Sequence, residues 1–404
     1  MTRSNNIRIL CCLAFSGFFA TALPARETPV FPLFMDYIGK GNTGVASAKD
    51  SRAIFYNPAL ILMNKETTLG LDITYGNSKT VNQLYGEGMD YVTGITDRIE
   101  AKILAIDPFS SANITENALG YFTVNGPLSL SLKLNNWQFS LFHYTLIKFY
   151  LSVNVDYSPP VFTDNTDVGV LGIDDLGFNV GFAFPLPIQF VGSKWEYFYW
   201  GFSAKFFQRV KGIKNFTDIQ SLIDTDPALI MSDISPARAV GVTTDMGFYY
   251  TFQNFGMGLS FYNVLSTPLT YYPVEFPVIW KSSSDTEVTA YRDTLSREIA
   301  FGFSYLMPHI STVPRQFLRD WSISLEGNDL LNQDDYPELL QKIRLGTEIT
   351  VADTIRVRAG LYHKSFTFGM GFTIFMVSID SAYWQEKIGN DTATNWGMRL
   401  AIEF

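Results

Sequence analysis

The sequence predicts an all-β protein, a transmembrane antiparallel β-barrel of about fourteen strands. Three observations lead to this fold class. The chain begins with an export signal, many of its segments alternate apolar and polar residues, and its last strand ends in an aromatic residue. Composition agrees, because 17% of the residues are charged, whereas soluble domains carry about 25%. Together these observations argue against a soluble cytosolic enzyme.

Residues 1–25 have the features of a secretory signal peptide. Arg3 and Arg8 precede an apolar run that ends in small residues. Both cysteines lie in this run, so the mature chain has none for a disulfide, a metal site or a thiol nucleophile. A lipid-modified Cys11 or Cys12 is the alternative, although Arg8 leaves almost no apolar stretch ahead of Cys11. Without the two arginines the net charge of −9 becomes more acidic, which predicts no binding to nucleic acid.

Alternation with a period of two residues predicts the strands. In the segment 127–135, leucines at every second position oppose serine, lysine and asparagine. The same alternation recurs at 67–75 and 321–326. Charges fall repeatedly on the polar face, at Asp72, Lys133, Glu326, Arg356, Arg358, Asp380, Arg399 and Glu403. A face of this kind is typical of a barrel lumen, and the apolar face then meets lipid.

Counting such segments along the chain predicts about fourteen strands, within a range of twelve to sixteen. They fall at 67–75, 127–134, 136–157, 176–184, 196–210, 239–252, 254–264, 297–305, 319–329, 340–350, 354–364, 366–374, 376–384 and 395–404. Short turns are predicted at 253–254, 352–353 and 375–376, and long loops at 76–126, 211–238 and 265–296. The second of these loops has apolar residues at helical spacing, which predicts short helices within 216–234.

The C-terminal strand carries a further signal. Apolar residues at every second position lead to Phe404 as the final residue. This pattern resembles the signal that the outer-membrane barrel assembly machinery recognises, so we expect that machinery as a partner. An ordinary last strand of a soluble sheet would not require a terminal phenylalanine.

Residues 26–65 do not alternate and are rich in Gly, Ala and Ser, which suits a compact plug in a confined lumen. Within them, Gly44-x-Ala46-x-Ala48-x-Asp50 and then Asn57-Pro58-Ala59-Leu60 resemble the N-terminal hatch of the FadL-like outer-membrane long-chain fatty-acid transporters. The C-terminal segments "IRVRAGLY", "FGMGF", "VSIDSAYW" and "WGMRLAIEF" resemble the same superfamily. Length and composition further suggest its spirochaete branch.

The resemblance implies a fold and a function. It implies a signal peptide at 1–25, a hatch at 26–65 that plugs the lumen, and a barrel at 66–404 in the outer membrane. Long-chain fatty acids or similar hydrophobic molecules would enter passively and leave sideways at a kinked strand, without a cofactor. Relatives with a similar hatch act in hydrocarbon uptake or in protein secretion, so a non-transporting platform for secretion or surface attachment is the alternative. No residue of 76–300 matches a ligand pocket of the family.

The hatch motif supplies the first set of candidate residues, which are Asp50, Phe55, Tyr56, Asn57, Pro58 and Ala59. Pro58 fixes its own φ and disfavours a helix at Asn57, so the corner is suited to end the hatch with a defined exit direction. The favoured interpretation is a structural turn. The sharper one is that Phe55, Tyr56 and the corner contact substrate or move when it binds.

Interior cations supply the second set, which is Lys133, Arg356, Arg358 and Arg399. Guanidinium groups bind carboxylates through paired hydrogen bonds, so these residues are candidates for a ligand head group. The favoured interpretation is that they neutralise acidic residues of the lumen. A further hypothesis concerns Pro159, Pro160, Pro185 and Pro187. Proline removes a ladder hydrogen bond and so belongs at strand ends, bulges or openings, and the resemblance to the family implies a side opening there.

Catalysis has little support in the sequence. The three histidines lie far apart, and no zinc-helix motif, nucleophile elbow or phosphate loop is present. We therefore expect no enzyme, no metal site and no cofactor.

Overall fold

The computed structural model describes residues 32–63, 69–78, 101, 112–158, 161–188, 196–216, 236–273, 291–308, 318–331, 339–388 and 391–403. The predicted signal peptide, the first residues of the predicted hatch and Phe404 lie outside these ranges. The helices predicted within 216–234 also fall on residues that are not described, apart from Phe216, which belongs to a strand. In the described part of the chain, no helix is both long enough and apolar enough to cross a membrane.

Fourteen strands of the described chain form one closed antiparallel barrel, as the sequence predicts. Each pairs with its neighbour around the ring, and β1 pairs with the last strand to close it. The ring consists of β1 Leu69–Ser78, β2 Ala112–Leu134, β3 Trp137–Ser158, β4 Val161–Leu186, β5 Glu196–Phe216, β6 Ala237–Phe252, β7 Phe255–Ser266, β10 Glu298–Leu306, β11 Leu318–Gly327, β12 Ile343–Val351, β13 Ile355–Tyr362, β14 Ser365–Ile374, β15 Val377–Ile388 and β16 Asp391–Glu403.

Two short strands, β8 Leu269–Pro273 and β9 Tyr291–Asp293, pair with each other and are not members of the ring of fourteen. β8 also pairs with the start of β6. Leu269, Tyr271 and Leu295 are buried in one apolar cluster with Phe207 of the wall. The predicted loop 265–296 therefore contains ordered strands that fold towards the lumen.

Alternating burial along the wall matches a transmembrane barrel. On β2, Leu130, Leu132 and Leu134 are exposed on the outer face, whereas Ser129 and Lys133 are buried on the inner face. Apolar residues outside and polar residues inside are the pattern that lipid around a polar lumen requires. The predicted short turns at 253–254, 352–353 and 375–376 are present and lie at one end of the barrel.

Strands β2 and β4 are longer than the sequence predicts, and this corrects the predicted loop 76–126. β2 begins at Ala112 and β4 at Val161, rather than at 127 and 176. The first part of β4 has polar residues at both sets of alternate positions, so alternation does not reveal it, and in β2 Glu116, Leu119 and Tyr121 interrupt the alternation of residues 112–125. Within β2 the register shifts between Asn125 and Leu130, so that residues 126–128 have no paired partner on β1 or β3.

Residues 32–63, here called the plug segment, lie inside the barrel. They contain α1 Met35–Gly39, α2 Ala53–Tyr56 and a 3₁₀-helix at Pro58–Leu62. Most of their side chains are buried. One further helix, α3 Leu339–Lys342, precedes β12.

Candidate functional site

Glycines of the wall face the plug segment around most of the barrel. We call them the glycine belt, which comprises Gly181, Gly201, Gly247, Gly258, Gly302, Gly346, Gly360, Gly369 and Gly397. A Cβ atom at Gly201 would lie 2.3 Å from the backbone nitrogen of Ala59, and one at Gly258 would lie 2.1 Å from the carbonyl oxygen of Val45. The wall therefore approaches the plug backbone at distances that only glycine permits.

Hydrogen bonds from wall side chains fix the plug segment at several points. The Glu326 carboxylate accepts the backbone N–H groups of Gly44 and Val45 through one oxygen, at 2.5 Å each. The hydroxyls of Ser260 and Tyr262 both donate to the carbonyl oxygen of Tyr56, at 2.7 and 2.5 Å. These contacts satisfy backbone groups of the plug that would otherwise be buried without partners.

The Asn57 side chain holds the Asn-Pro-Ala corner. Its amide donates to the carbonyl oxygens of Val45 (2.9 Å) and Phe248 (3.0 Å), and its Oδ1 accepts the N–H of Ala59 (3.0 Å). Asn57 is therefore the N-cap of the 3₁₀-helix, in which Pro58 takes a position that needs no N–H donor. The side chain is fully buried, and its contacts fit the structural interpretation of the corner.

The two aromatic candidates of the plug differ in their surroundings. Tyr56 stacks on Tyr37 with ring centroids 4.5 Å apart, and its hydroxyl donates to Oδ1 of Asn42 at 2.6 Å. Phe55 meets Phe142 of β3 edge-on at 5.6 Å. Tyr56 thus belongs to the interior of the plug, whereas Phe55 lies at its boundary with the wall.

Asp50 belongs to an ion cluster with Arg52 and Asp36, which the sequence analysis did not predict. Arg52 donates from Nη1 to Asp36 at 2.6 Å, and from Nε and Nη2 to the two oxygens of Asp50 at 3.1 and 2.5 Å. The Tyr37 hydroxyl also donates to Asp50, at 2.9 Å. Burial opposes ionisation of both acids, but nearby positive charge holds each pKa below its usual value. The charge is that of Arg52 for Asp50, and that of Arg52 together with Arg399, Arg358 and Lys40 for Asp36. Both acids are thus carboxylates at neutral pH.

The cationic candidates of the wall fall into different environments. Arg358 and Arg399 both donate to Asp380, at 2.7 and 2.8 Å, and all three side chains are almost fully buried. Arg358 also pairs with Glu348. Arg356 instead bonds the hydroxyls of Thr373 and Ser378 on neighbouring strands. Arg358 and Arg399 therefore pair with acids of the lumen, as the favoured interpretation of these cations expects.

Two wall cations that the sequence analysis did not single out also pair with acids of the lumen. Arg209 forms a paired hydrogen bond with Asp175, and Lys205 lies 2.6 Å from Asp245. Lys133 is buried on the inner face of β2, apart from the Asp380 group. Arg209 and Lys205 thus each pair with a separate acid, whereas Arg358 and Arg399 share Asp380.

A cavity of about 30 Å³ lies between the plug segment and the wall at β1–β3. Its lining includes both faces of the wall as well as the plug. The residues are Pro32, Phe34, Ser51, Arg52 and Phe55 of the plug; Ser129, Ser131, Ser140, Phe142 and Arg399 of the inner wall; and Leu71, Leu130 and Leu141 of the outer wall. Side chains from both faces share this cavity next to the irregular segment 126–129 of β2. Of the predicted residues, only Phe55 and Arg399 line it.

The ladders are continuous beside Pro159, Pro160 and Pro185, where the sequence analysis predicts a side opening. The β3–β4 ladder continues to the pair Ser158 and Val161, directly before and after the two outer prolines. Pro185 lies within the β4–β5 ladder opposite Tyr199. Pro159 and Pro160 are outside the described residues. The irregularity lies instead in β2, where Gly126 and Pro127 have no ladder partner.

No family model matches the sequence, and no curated protein matches it. Solved structures do match. The Pseudomonas putida toluene transporter TodX is 10% identical, with 93% of this chain and 99% of that chain covered and a TM-score of 0.45. The Ralstonia pickettii toluene transporter TbuX is 13% identical, with 92% and 98% covered and a TM-score of 0.45. A Pseudomonas aeruginosa FadL homologue is 10% identical, with 94% and 98% covered and a TM-score of 0.41.

A FadL homologue is thus among the solved structures that match this chain. Identities of 10 to 13% and TM-scores below 0.5 say nothing about substrate.

Proposed function

We propose that this protein is an outer-membrane channel through which hydrophobic small molecules, long-chain fatty acids among them, diffuse passively into the lumen and leave sideways through the wall. The observation that carries the proposal is the cavity at β1–β3. Its lining combines aromatic rings and leucines with two guanidinium groups and four serines. At about 30 Å³ the cavity is far smaller than a pocket for a whole acyl chain, so it is proposed as the site of the head group only.

The plug supports a sideways route rather than an axial one. Its backbone rests on the glycine belt, and its carbonyl and N–H groups bond the wall at Glu326, Ser260 and Tyr262. Passage along the axis would break these contacts together. An exit beside β2 would use a segment that already lacks ladder partners, since residues 126–128 pair with neither neighbouring strand.

The exposed surface supports a membrane location. Leu130, Leu132 and Leu134 on β2, together with Phe368 and Met370 on β14, expose large apolar side chains outwards. A folded protein keeps such a surface only when something apolar covers it. Outer-membrane lipid is the partner that fits a closed barrel with this band.

Uptake into liposomes tests the proposal. Purified protein is reconstituted, and entry of a labelled long-chain fatty acid is measured for the wild type and for two matched variants. Leu130→Trp places a bulky ring at the cavity, whereas Leu134→Trp makes the same change on the same strand outside it. We expect saturable uptake in the wild type, a severalfold loss in L130W and no loss in L134W.

Two outcomes would count against the proposal. Equal uptake by L130W and L134W would contradict the exit at β2. Absence of saturable uptake in the wild type would contradict the transport function. If a stoichiometric protein partner were then recovered, the platform for secretion or surface attachment would be favoured.

A further inference from the structure

The guanidinium group of Arg52 is the part of the plug best placed to meet an anionic ligand. Arg52 and Arg399 are the two cations among the residues that line the cavity. They come from opposite sides of it, because Arg52 belongs to the plug and Arg399 to β16. The hydroxyl-bearing residues Ser129, Ser131 and Ser140 lie on the inner wall of the same cavity.

Arg52 already carries a carboxylate in the geometry that a ligand would use. Its Nε and Nη2 donate to the two oxygens of Asp50, which is the paired arrangement by which arginine binds carboxylates. Its Nη1 donates to Asp36. A ligand carboxylate can therefore reach the fork of Arg52 only by displacing one of these two acids.

Asp50 is the acid that can be displaced. The side chain of Asp36 is 5% exposed and that of Asp50 is 26% exposed. Asp36 is also attracted by Arg399, Arg358 and Lys40, besides Arg52. Besides the Arg52 side chain, the Asp50 carboxylate accepts the Tyr37 hydroxyl and the backbone N–H of Arg52, at 2.9 Å each, and an incoming carboxylate would have to replace it there as well.

We propose that Asp50 acts as an internal substitute for the ligand head group, and that an amphipathic carboxylate binds in the cavity by taking its place on Arg52. The exchange keeps the charge balance of the site, because one carboxylate replaces another. A neutral ligand gains nothing from the exchange, since removing Asp50 would leave the buried guanidinium without one of its two anions. This inference rests on the proposed function and adds a residue that discriminates carboxylates from neutral hydrocarbons.

Binding of two probes with the same chain length tests the exchange. Hexadecanoate and hexadecan-1-ol are titrated against the purified full-length protein in detergent micelles. The variants are Asp50→Asn, which keeps the size of the side chain and removes its charge, and Arg52→Gln. Asp353→Asn is the control, because Asp353 is exposed in the β12–β13 turn, which lies in another part of the barrel.

We expect D50N to bind hexadecanoate roughly tenfold more tightly than the wild type, because the competing carboxylate is gone. Binding of hexadecan-1-ol should not change, and D353N should resemble the wild type with both probes. R52Q should lose the preference for the carboxylate. If R52Q fails to fold, Arg52→Lys retains the charge without the fork and should bind hexadecanoate more weakly than the wild type.

The outcomes separate this inference from the function on which it rests. Equal shifts for both probes in D50N, or no shift for either, would overturn the exchange while leaving hydrophobic binding intact. Failure of the wild type to bind either probe would contradict the proposed function and the exchange with it.

Discussion

Replacing one glycine of the belt by alanine should loosen the plug segment. At Gly201 the new Cβ would lie 2.3 Å from the backbone nitrogen of Ala59 and 2.3 Å from the carbonyl carbon of Pro58. Both atoms belong to the 3₁₀-helix that Asn57 caps, so relief requires the whole corner to move. Gly172→Ala on β4 is the matched control, because the nearest atom there is the carbonyl oxygen of Gly212 at 4.0 Å.

The expected magnitude follows from the two effects of each substitution. Overfilling a packed site costs about 1–3 kcal/mol. Alanine also restricts the unfolded chain relative to glycine, which stabilises by about 0.4–1 kcal/mol, and this gain is common to both variants. The difference between G201A and G172A therefore isolates the clash. A value of about 2 kcal/mol corresponds to a roughly thirtyfold larger population of the unseated plug.

Hydrogen–deuterium exchange of peptides covering 53–63, measured in detergent micelles, reports that population. We expect exchange to become roughly thirtyfold faster in G201A and to remain at the wild-type rate in G172A. Heat-dependent electrophoretic mobility shows whether the barrel itself remains folded in both. Equal exchange in the two variants would refute the conclusion that the belt seats the plug.

Three further predictions address the corner, the ion cluster and the wall cations. Asn57→Ala removes three side-chain hydrogen bonds of about 1 kcal/mol each, so plug peptides should lose about 3 kcal/mol of protection from exchange; unchanged protection would contradict the capping role. The pKa values of Asp36 and Asp50 are lowered in the folded state, so their contribution is complete above the unfolded value of about 3.9 and is lost as the pH falls through the folded values. The protection that the ion cluster supplies should thus be lost only below about pH 4, and plug protection that stays unchanged from about pH 4 to 2 would count against this ion cluster. Arg358→Gln should destabilise the barrel by about 3–5 kcal/mol, because it leaves buried acids unpaired, whereas Arg356→Gln should cost less than about 1 kcal/mol; equal thermal shifts would overturn that distinction.

The strands that cross the apolar outer band could be predicted because one face of each strand contacts lipid and the other contacts the polar lumen. Outward positions must be apolar and inward positions polar, as at Leu132 and Lys133, so alternation gives the number of strands and the face of each residue. The outer parts of β2 and β4 have no such constraint. With polar residues on both faces, their strand character depends on pairing with β3, which a single sequence does not reveal.

The candidate site was predictable where local chemistry decides and not where the fold brings distant residues together. Asn57 caps the 3₁₀-helix that begins at the next residue, Pro58. Its geometric role therefore follows from the residues Asn-Pro-Ala alone. Arg399 and Asp380 face each other because of the β15–β16 register. The sequence also predicts that residues 26–65 plug the lumen, but no sequence pattern shows that Arg52 then lines a cavity with β1, β2 and β3.

The contacts of the plug determine which route costs less free energy. Unseating it would break at least the bonds from Glu326, Ser260, Tyr262 and Asn57, at about 1 kcal/mol or more each. It would also expose aromatic rings such as Tyr56, which are buried now. Widening the cavity beside β2 separates no register pair at residues 126–128, because they have no paired partner on β1 or β3. Under the proposed function, a hydrophobic molecule would therefore meet a smaller barrier at the wall than along the axis, and substitutions in the wall should alter flux without unfolding the plug.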